Sequence, residues 1–365
     1  MQCLSYAHRT AWTVIATFII AGCAGGTAQV VPTSATQAPN FRARSTELAQ
    51  QSGRGGNRLP FGHAVTTPSF MDPNASTKPL VFVSDADSEV VNIYLQGGKN
   101  KLVGQITGLL QPYAIATDSA RNLYVANADE GNVQVYEPPY TGAPNLTLND
   151  EGYEPYDVAI SPRGVIGVTN YCIETACNAG SGNLVFYAAN STTPCATVSD
   201  AKDFAYMEFG AFDRKGNFFI NGFDANRHST LGEIKGGCNA KGVTILTAGE
   251  NNGVLGGIHI NKADQISIFD TEPPGSGAPV IYTYRQPTKH SLGSPISTTV
   301  LQGTNRVEIL EDFAFQGSGK DLYVPDSVDG LTNEYAYPAG GMPERTITSG
   351  SAYISGIAVT PPLTP

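Results

Sequence analysis

The stretch "PYAIATDSARNLYVAN", Pro112–Asn127, holds an apolar run, a polar turn, and a second apolar run ending on Ala-Asn. Three further stretches follow the same plan: "PYDVAISPRGVIGVTN" from Pro155, "MEFGAFDRKGNFFING" from Met207 and "EDFAFQGSGKDLYVPD" from Glu311. Two short apolar runs joined by a turn of Asp, Ser, Gly and Asn read as adjacent β-strands. A chain that writes this unit repeatedly is building a repeat architecture.

The second run of each unit begins near Leu80, Leu123, Ile166, Phe218, Ile266 and Leu322, at successive spacings of 43, 43, 52, 48 and 56 residues. First runs precede five of them ("YAIATD", "YDVAIS", "EFGAFD", "GGIHIN", "DFAFQ"), but none precedes Leu80. The missing copy stands at the other end of the chain, "YISGIAV" from Tyr353. A ring resolves the mismatch, because the last strand can complete the sheet that the first strands begin. Third strands are legible as "VVNIYLQGG", "NVQVYEPP", "NLVFYAAN", "PVIYTYRQP" and "TNEYAYPAGG". The pattern predicts an all-β fold, a six-bladed β-propeller over residues 79–365, closed by pairing of the C-terminal strand with the N-terminal blade.

The preceding residues read differently. Residues 1–22 carry Arg9 and then the apolar run "AWTVIATFIIAGC", too short to span a bilayer and suited to an export signal. "IAGC", Ile20–Cys23, resembles a bacterial lipobox, which implies cleavage before Cys23, lipidation of its thiol, and membrane attachment through the lipid. An ordinary cleaved signal is the alternative. Ala24, rather than Asp, after the cysteine points by analogy to the outer membrane or cell surface. Residues 23–78, rich in Gly, Ser, Thr, Ala, Gln and Pro, read as a flexible tether.

Charge divides along the same line. The tether sums to +3 and the signal to +1, which leaves −14 on residues 79–365 out of the chain's −10. So acidic a body disfavours nucleic acid, whose binding rests on neutralising phosphates. Four cysteines remain in it: Cys172, Cys177, Cys195 and Cys238. An even number in an exported chain reads as disulfides. Cys172 and Cys177 bracket the loop "CIETAC", which leaves Cys195 for Cys238; a metal site competes, although the spacing is no zinc knuckle.

The "P-Y-x-h-A-x-D-x-x-x-N-L-Y-V-A-N" core (h apolar) followed by "NVQVY" resembles six-bladed propellers of the NHL-repeat and gluconolactonase-like kind. The "TNYC…C" loop and the "EYAYPAGG…P…TIT" ending are similar to uncharacterised exported bacterial propeller proteins. That likeness is informative about fold and nearly silent on function.

In a propeller blade the turns after the second strands share a face with the starts of the innermost strands. That places acidic turns (Asp85, Asp87 and Glu89; Asp129 and Glu130; Asp270 and Glu272; Asp326 and Asp329) beside a candidate channel mouth. The mouth would hold Asp157, Glu208, His259, Glu311 and Asp312, with Tyr113, Tyr156, Tyr206 and Tyr353 at matching positions. Asp in turns ordinarily satisfies local backbone donors, and the tyrosines would pack between blades. Crowded carboxylates repel unless a cation, water or protonation relieves them. Glu208, His259 and Glu311 are therefore the candidate metal ligands, with calcium or another divalent cation suited to their oxygens.

Two functions follow. One is a non-catalytic binding module in the cell envelope, facing an unknown protein or small molecule. The other is a metal-dependent, lactonase-like hydrolase or lyase at the channel mouth. The second is the poorer match: the early "EGP" of gluconolactonase-like propellers is missing, as are a GxSxG elbow, an HExxH helix and a Walker loop.

Overall fold

The computed structural model describes residues 67–150, 153–173, 180–249, 253–274, 277–304, 312–327, 329–349 and 353–362. They form six sheets arranged as a propeller, antiparallel throughout except that Ser291–Gly293 joins the outer edge of blade four parallel to Thr244–Ala248. Blade one has the order, from the axis outward, Ile354–Thr360, Leu80–Asp85, Val90–Leu95, Leu102–Ile106 and Phe70–Met71. The C-terminal strand is thus the innermost strand of the first blade, as the spare repeat predicts. Blades two and three run outward in chain order from Pro112–Thr117 and Tyr153–Ile160. Blades four, five and six do the same from Tyr206–Phe212, Leu255–Ile260 and Ala314–Phe315.

Each sheet is buried on both faces, so its second strand is apolar at successive positions instead of alternating. In blade one, Leu80 and Phe82 pack toward blade two, while Val81 and Val83 pack toward blade six. In blade two, Leu123 and Val125 join the first of these clusters, and Tyr124 joins another with Val158, Ile166 and Val168 of blade three. Further apolar clusters fill the interfaces between blades three and four, four and five, and five and six. Stability is therefore spread around the ring through nearest-neighbour contacts.

The polar signature of the repeat belongs to the turn after the innermost strand. Asp118 Oδ1 accepts the Asn122 amide at 2.8 Å and Oδ2 accepts Asn122 Nδ2 at 2.8 Å. Asp213 and Asn217 repeat the pair at 2.8 and 2.9 Å. Blade three uses Ser161 Oγ for the Val165 amide at 2.9 Å. These side chains fix the turn by local hydrogen bonds.

Blade four needs space for Phe218. A Cβ on Gly167 would approach its ring to 2.7 Å, and one on Gly210 to 2.2 Å. Those glycines stand where other blades carry larger residues because the phenyl ring occupies the interface.

The blade-one sheet begins earlier than residue 79. Phe70–Met71 pairs with Gly104 and Gln105, and Met71 and Ala75 are buried in the first interface. Arg121 holds this entry by donating to the carbonyls of Ser76 and Thr77 at 3.0 and 3.1 Å. Composition alone assigns these residues to the tether, because two strand residues and a turn have no readable period.

Cys195 and Cys238 form a disulfide that joins the outermost strand of blade three to a turn in blade four. Cys172 is buried, and its expected partner Cys177 lies outside the described residues, as do Cys23 and the signal and tether through residue 66.

Candidate functional site

The innermost strands carry a break in register near their starts. It falls between Pro112 and Ile115, Met207 and Gly210, and Leu255 and Ile258. A bulge of this kind re-aims side chains on either side of it. The polar residues grouped by sequence at a single mouth are divided by the structure between the two ends of the channel.

At the end where the innermost strands finish lies a cavity of about 120 Å³. Asp157, His259 and Asp312 line it, together with strand-end residues such as Thr117, Ile160, Phe212 and Val359. Ala116, Ala159, Ala211, Ala314 and Ala358 also line it, and His259 stands where those blades have alanine. The cavity suits a few waters rather than a drug-sized ligand.

Its two aspartates are committed to the backbone. Asp157 Oδ1 accepts the Val158 amide at 2.7 Å, and Oδ2 accepts the Gly210 amide of blade four at 2.8 Å. Asp312 Oδ1 accepts the Phe313 amide at 2.8 Å, and Oδ2 the Ile357 amide of blade one at 3.4 Å. His259 Nε2 lies 3.6 Å from Asp312 Oδ1, with its ring edge-on to Phe313 at 4.5 Å. Burial, then repulsion from Asp312, pushes the Asp157 carboxyl up to about 8. Both causes favour the neutral acid, the form that relieves the crowding of like charges.

The opposite end is aromatic. The Tyr113 and Tyr156 ring centroids lie 5.5 Å apart, and Tyr156 stacks on Tyr171 at 5.3 Å. Tyr171 stacks on Tyr206 at 4.7 Å, and Phe209 meets Tyr156 edge-on at 5.3 Å. Tyr353 packs beside Tyr113 and Tyr156. Arg227 sits over Tyr206, 4.2 Å from its centroid, and Nη1 donates to the Tyr171 hydroxyl at 3.1 Å. Burial raises the Tyr113 hydroxyl well above its ordinary value, and nearby Glu154 and Asp129 add to that.

Glu208 belongs to this aromatic end. Its charge acts on Tyr171, and Arg227 acts on Glu208. Burial nonetheless pushes its carboxyl up to about 8. Glu208 does not line the cavity that His259 lines, and Glu311 lies outside the described residues. Among the described residues, no group of three His, Cys, Asp or Glu side chains is placed to hold a metal ion.

The acidic turns serve the backbone. Asp85 accepts the Ser88 amide at 2.9 Å, Asp270 the Gly253 amide at 2.9 Å, and Asp326 the Asp329 amide at 3.2 Å. Sequence reasoning missed Tyr171, Phe209 and Arg227. Tyr171 lies on the extension of Ile166–Ile173, three residues longer than the matching Leu123–Asn127. Arg227 lies in the turn that Asp224 closes with His228.

No family model and no curated protein matches the chain. Solved structures do. A chain of a nidogen/laminin complex aligns with a TM-score of 0.54 and 12% identity, over 77% of this chain and 98% of that one. A Bacteroides caccae protein of unknown function gives 0.52 and 11%, over 78% and 99%. Hydrazine synthase of Kuenenia stuttgartiensis gives 0.51 and 14%, over 78% and 80%. At these identities the likeness is one of fold, and the fold is a six-bladed β-propeller.

Proposed function

We propose that the protein is a non-catalytic binding module of the NHL-like kind, exported and held at the bacterial outer membrane or cell surface by lipid on Cys23. The observation that carries the binding reading is the aromatic end of the channel. Tyr113, Tyr156, Tyr171, Tyr206 and Phe209 form one continuous set of ring contacts across blades two to four. Tyrosine and arginine supply large contact areas with polar tips, a composition enriched in recognition surfaces. The lipid anchor rests on the "IAGC" motif and the apolar run before it.

A hydrolase is less well supported. The Asp157 and Asp312 oxygens are taken by amides, and His259, 3.6 Å from Asp312 Oδ1, otherwise faces alanines and phenyl rings. The test is metal content after dialysis, followed by a panel of lactones and esters. The binding reading expects no turnover with or without added calcium. Turnover that Glu208→Gln abolishes would overturn it. Growth with a labelled fatty acid tests the anchor: label should enter the wild-type chain and be lost in Cys23→Ala, and an unlabelled wild type would remove that part.

A further inference from the structure

Among the described residues, Glu208 is a buried carboxyl at the aromatic end that the backbone clamps and ion pairs of the fold do not use. The residue is 4% exposed, yet among the described residues its carboxyl has neither a hydrogen-bond nor an ion-pair partner. Removing a carboxyl from water without a partner is costly, and native structures keep few such groups. The raised carboxyl pKa expresses the same cost.

Its surroundings suggest what is missing. The rings of Tyr171 and Tyr206 stack beside it, and an aromatic face attracts organic cations through its quadrupole. One cation already uses that face: the Arg227 guanidinium, over Tyr206 and bonded to the Tyr171 hydroxyl. The tyrosines come from strands, whereas half-buried Arg227 comes from a surface turn at a φ of 67°. Glu154 and Asp129 also act on this end of the channel.

We propose that this corner binds the cationic head of a ligand, a guanidinium or alkylammonium group, between Tyr171, Tyr206 and the Glu208 carboxylate, and that Arg227 holds that place in the free protein. The inference rests on the binding-module reading and names its ligand chemistry. On binding, Glu208 releases its proton to solvent, and the carboxylate becomes the counter-charge of the bound cation.

The test is isothermal titration calorimetry of the full chain at pH 7, at matched ionic strength, with ethylguanidinium and tetramethylammonium as probes. Two buffers of different ionisation enthalpy report proton release. Saturable binding is expected for at least one probe, and which one binds identifies the head group. Arg227→Gln should tighten binding by about fivefold, since the resident cation is removed. Glu208→Gln should weaken it about tenfold and abolish proton release. If Arg227→Gln does not fold, Tyr206→Leu provides a second reading, with a loss expected. The proposal is overturned if neither probe saturates, if Arg227→Gln leaves binding unchanged or weaker, or if Glu208→Gln has no effect. Such a failure removes the cationic ligand alone and is distinguishable from failure of the wider binding reading, which turnover on the lactone and ester panel overturns.

Discussion

Asp157 and Asp312 make the same pair of bonds three blades apart. Each gives one oxygen to the amide of its own next residue and the other to an amide of the following blade. The two carboxylates therefore act as clamps between innermost strands, between blades three and four and between blades six and one. Neighbouring blades use a related device: Ser84 Oγ donates to the Tyr113 carbonyl at 2.6 Å, and Asn221 Nδ2 to the Gly256 carbonyl at 2.6 Å.

Replacing Asp157 with Ala leaves the buried Gly210 amide without its acceptor. The expected loss is about 1–3 kcal/mol of unfolding free energy, measured by urea titration. Asp157→Asn keeps one acceptor oxygen and should lose less. Equal losses for the two variants would contradict the clamp.

Stability should depend on pH through Asp157 and Glu208. Unfolded, they release their protons near 3.8 and 4.5; folded, they hold them up to about 8. Between those values the folded state binds more protons, so their contribution is most favourable at the acid end and declines as pH rises. Each group can add at most about 1.4 kcal/mol per pH unit to that decline. Relative to wild type, Glu208→Gln should gain stability between pH 5 and pH 7.5. A difference that stays constant across that range would refute the assignment.

Ring closure predicts cooperative loss. Ile354, Ile357 and Val359 fill the interface with blade six, and Ser355 Oγ donates to the Pro112 carbonyl at 2.5 Å. Deleting residues 353–365 should therefore abolish the cooperative melt of the whole domain rather than fray one blade. A truncated chain that melts within a few degrees of the parent would count against closure.

The Cys195–Cys238 disulfide closes a sequence separation of 43 residues across blades three and four. Replacing both cysteines with Ser should lower the unfolding free energy by about 2–4 kcal/mol. The check is the same urea titration of the wild type and the double variant without reductant. No loss in the variant would show that blade packing alone holds that rim.

The ring was readable because its repeat is written in turn chemistry: Asp118 with Asn122 and Asp213 with Asn217 mark the same bend. The spare strand from Tyr353 and the Cys195–Cys238 pair were readable for similar reasons of counting. The candidate site was only partly legible. The structure gathers Tyr113, Tyr156, Tyr206 and Tyr353 at one end, but not at one repeat position: Tyr113 and Tyr156 follow the pairs Pro112–Asn127 and Pro155–Asn170, whereas Tyr206 and Tyr353 precede the pairs Met207–Gly222 and Ile354–Asp85. Tyr171 and Arg227 sit on an extension and a turn that the other copies do not share, so no register could reveal them. The separation of Glu208 from Asp157 and His259 arises at the strand bulge, where simple alternation stops predicting direction.

The most direct test asks which end of the channel binds. Nuclear magnetic resonance of ring-labelled tyrosines, titrated with whichever of ethylguanidinium and tetramethylammonium saturates, should shift the signals of Tyr171 and Tyr206 and leave in place those of Tyr94 and Tyr136, on the third strands of blades one and two. Shifts spread evenly over all four, or none at saturating probe, would contradict the aromatic end as the recognition surface.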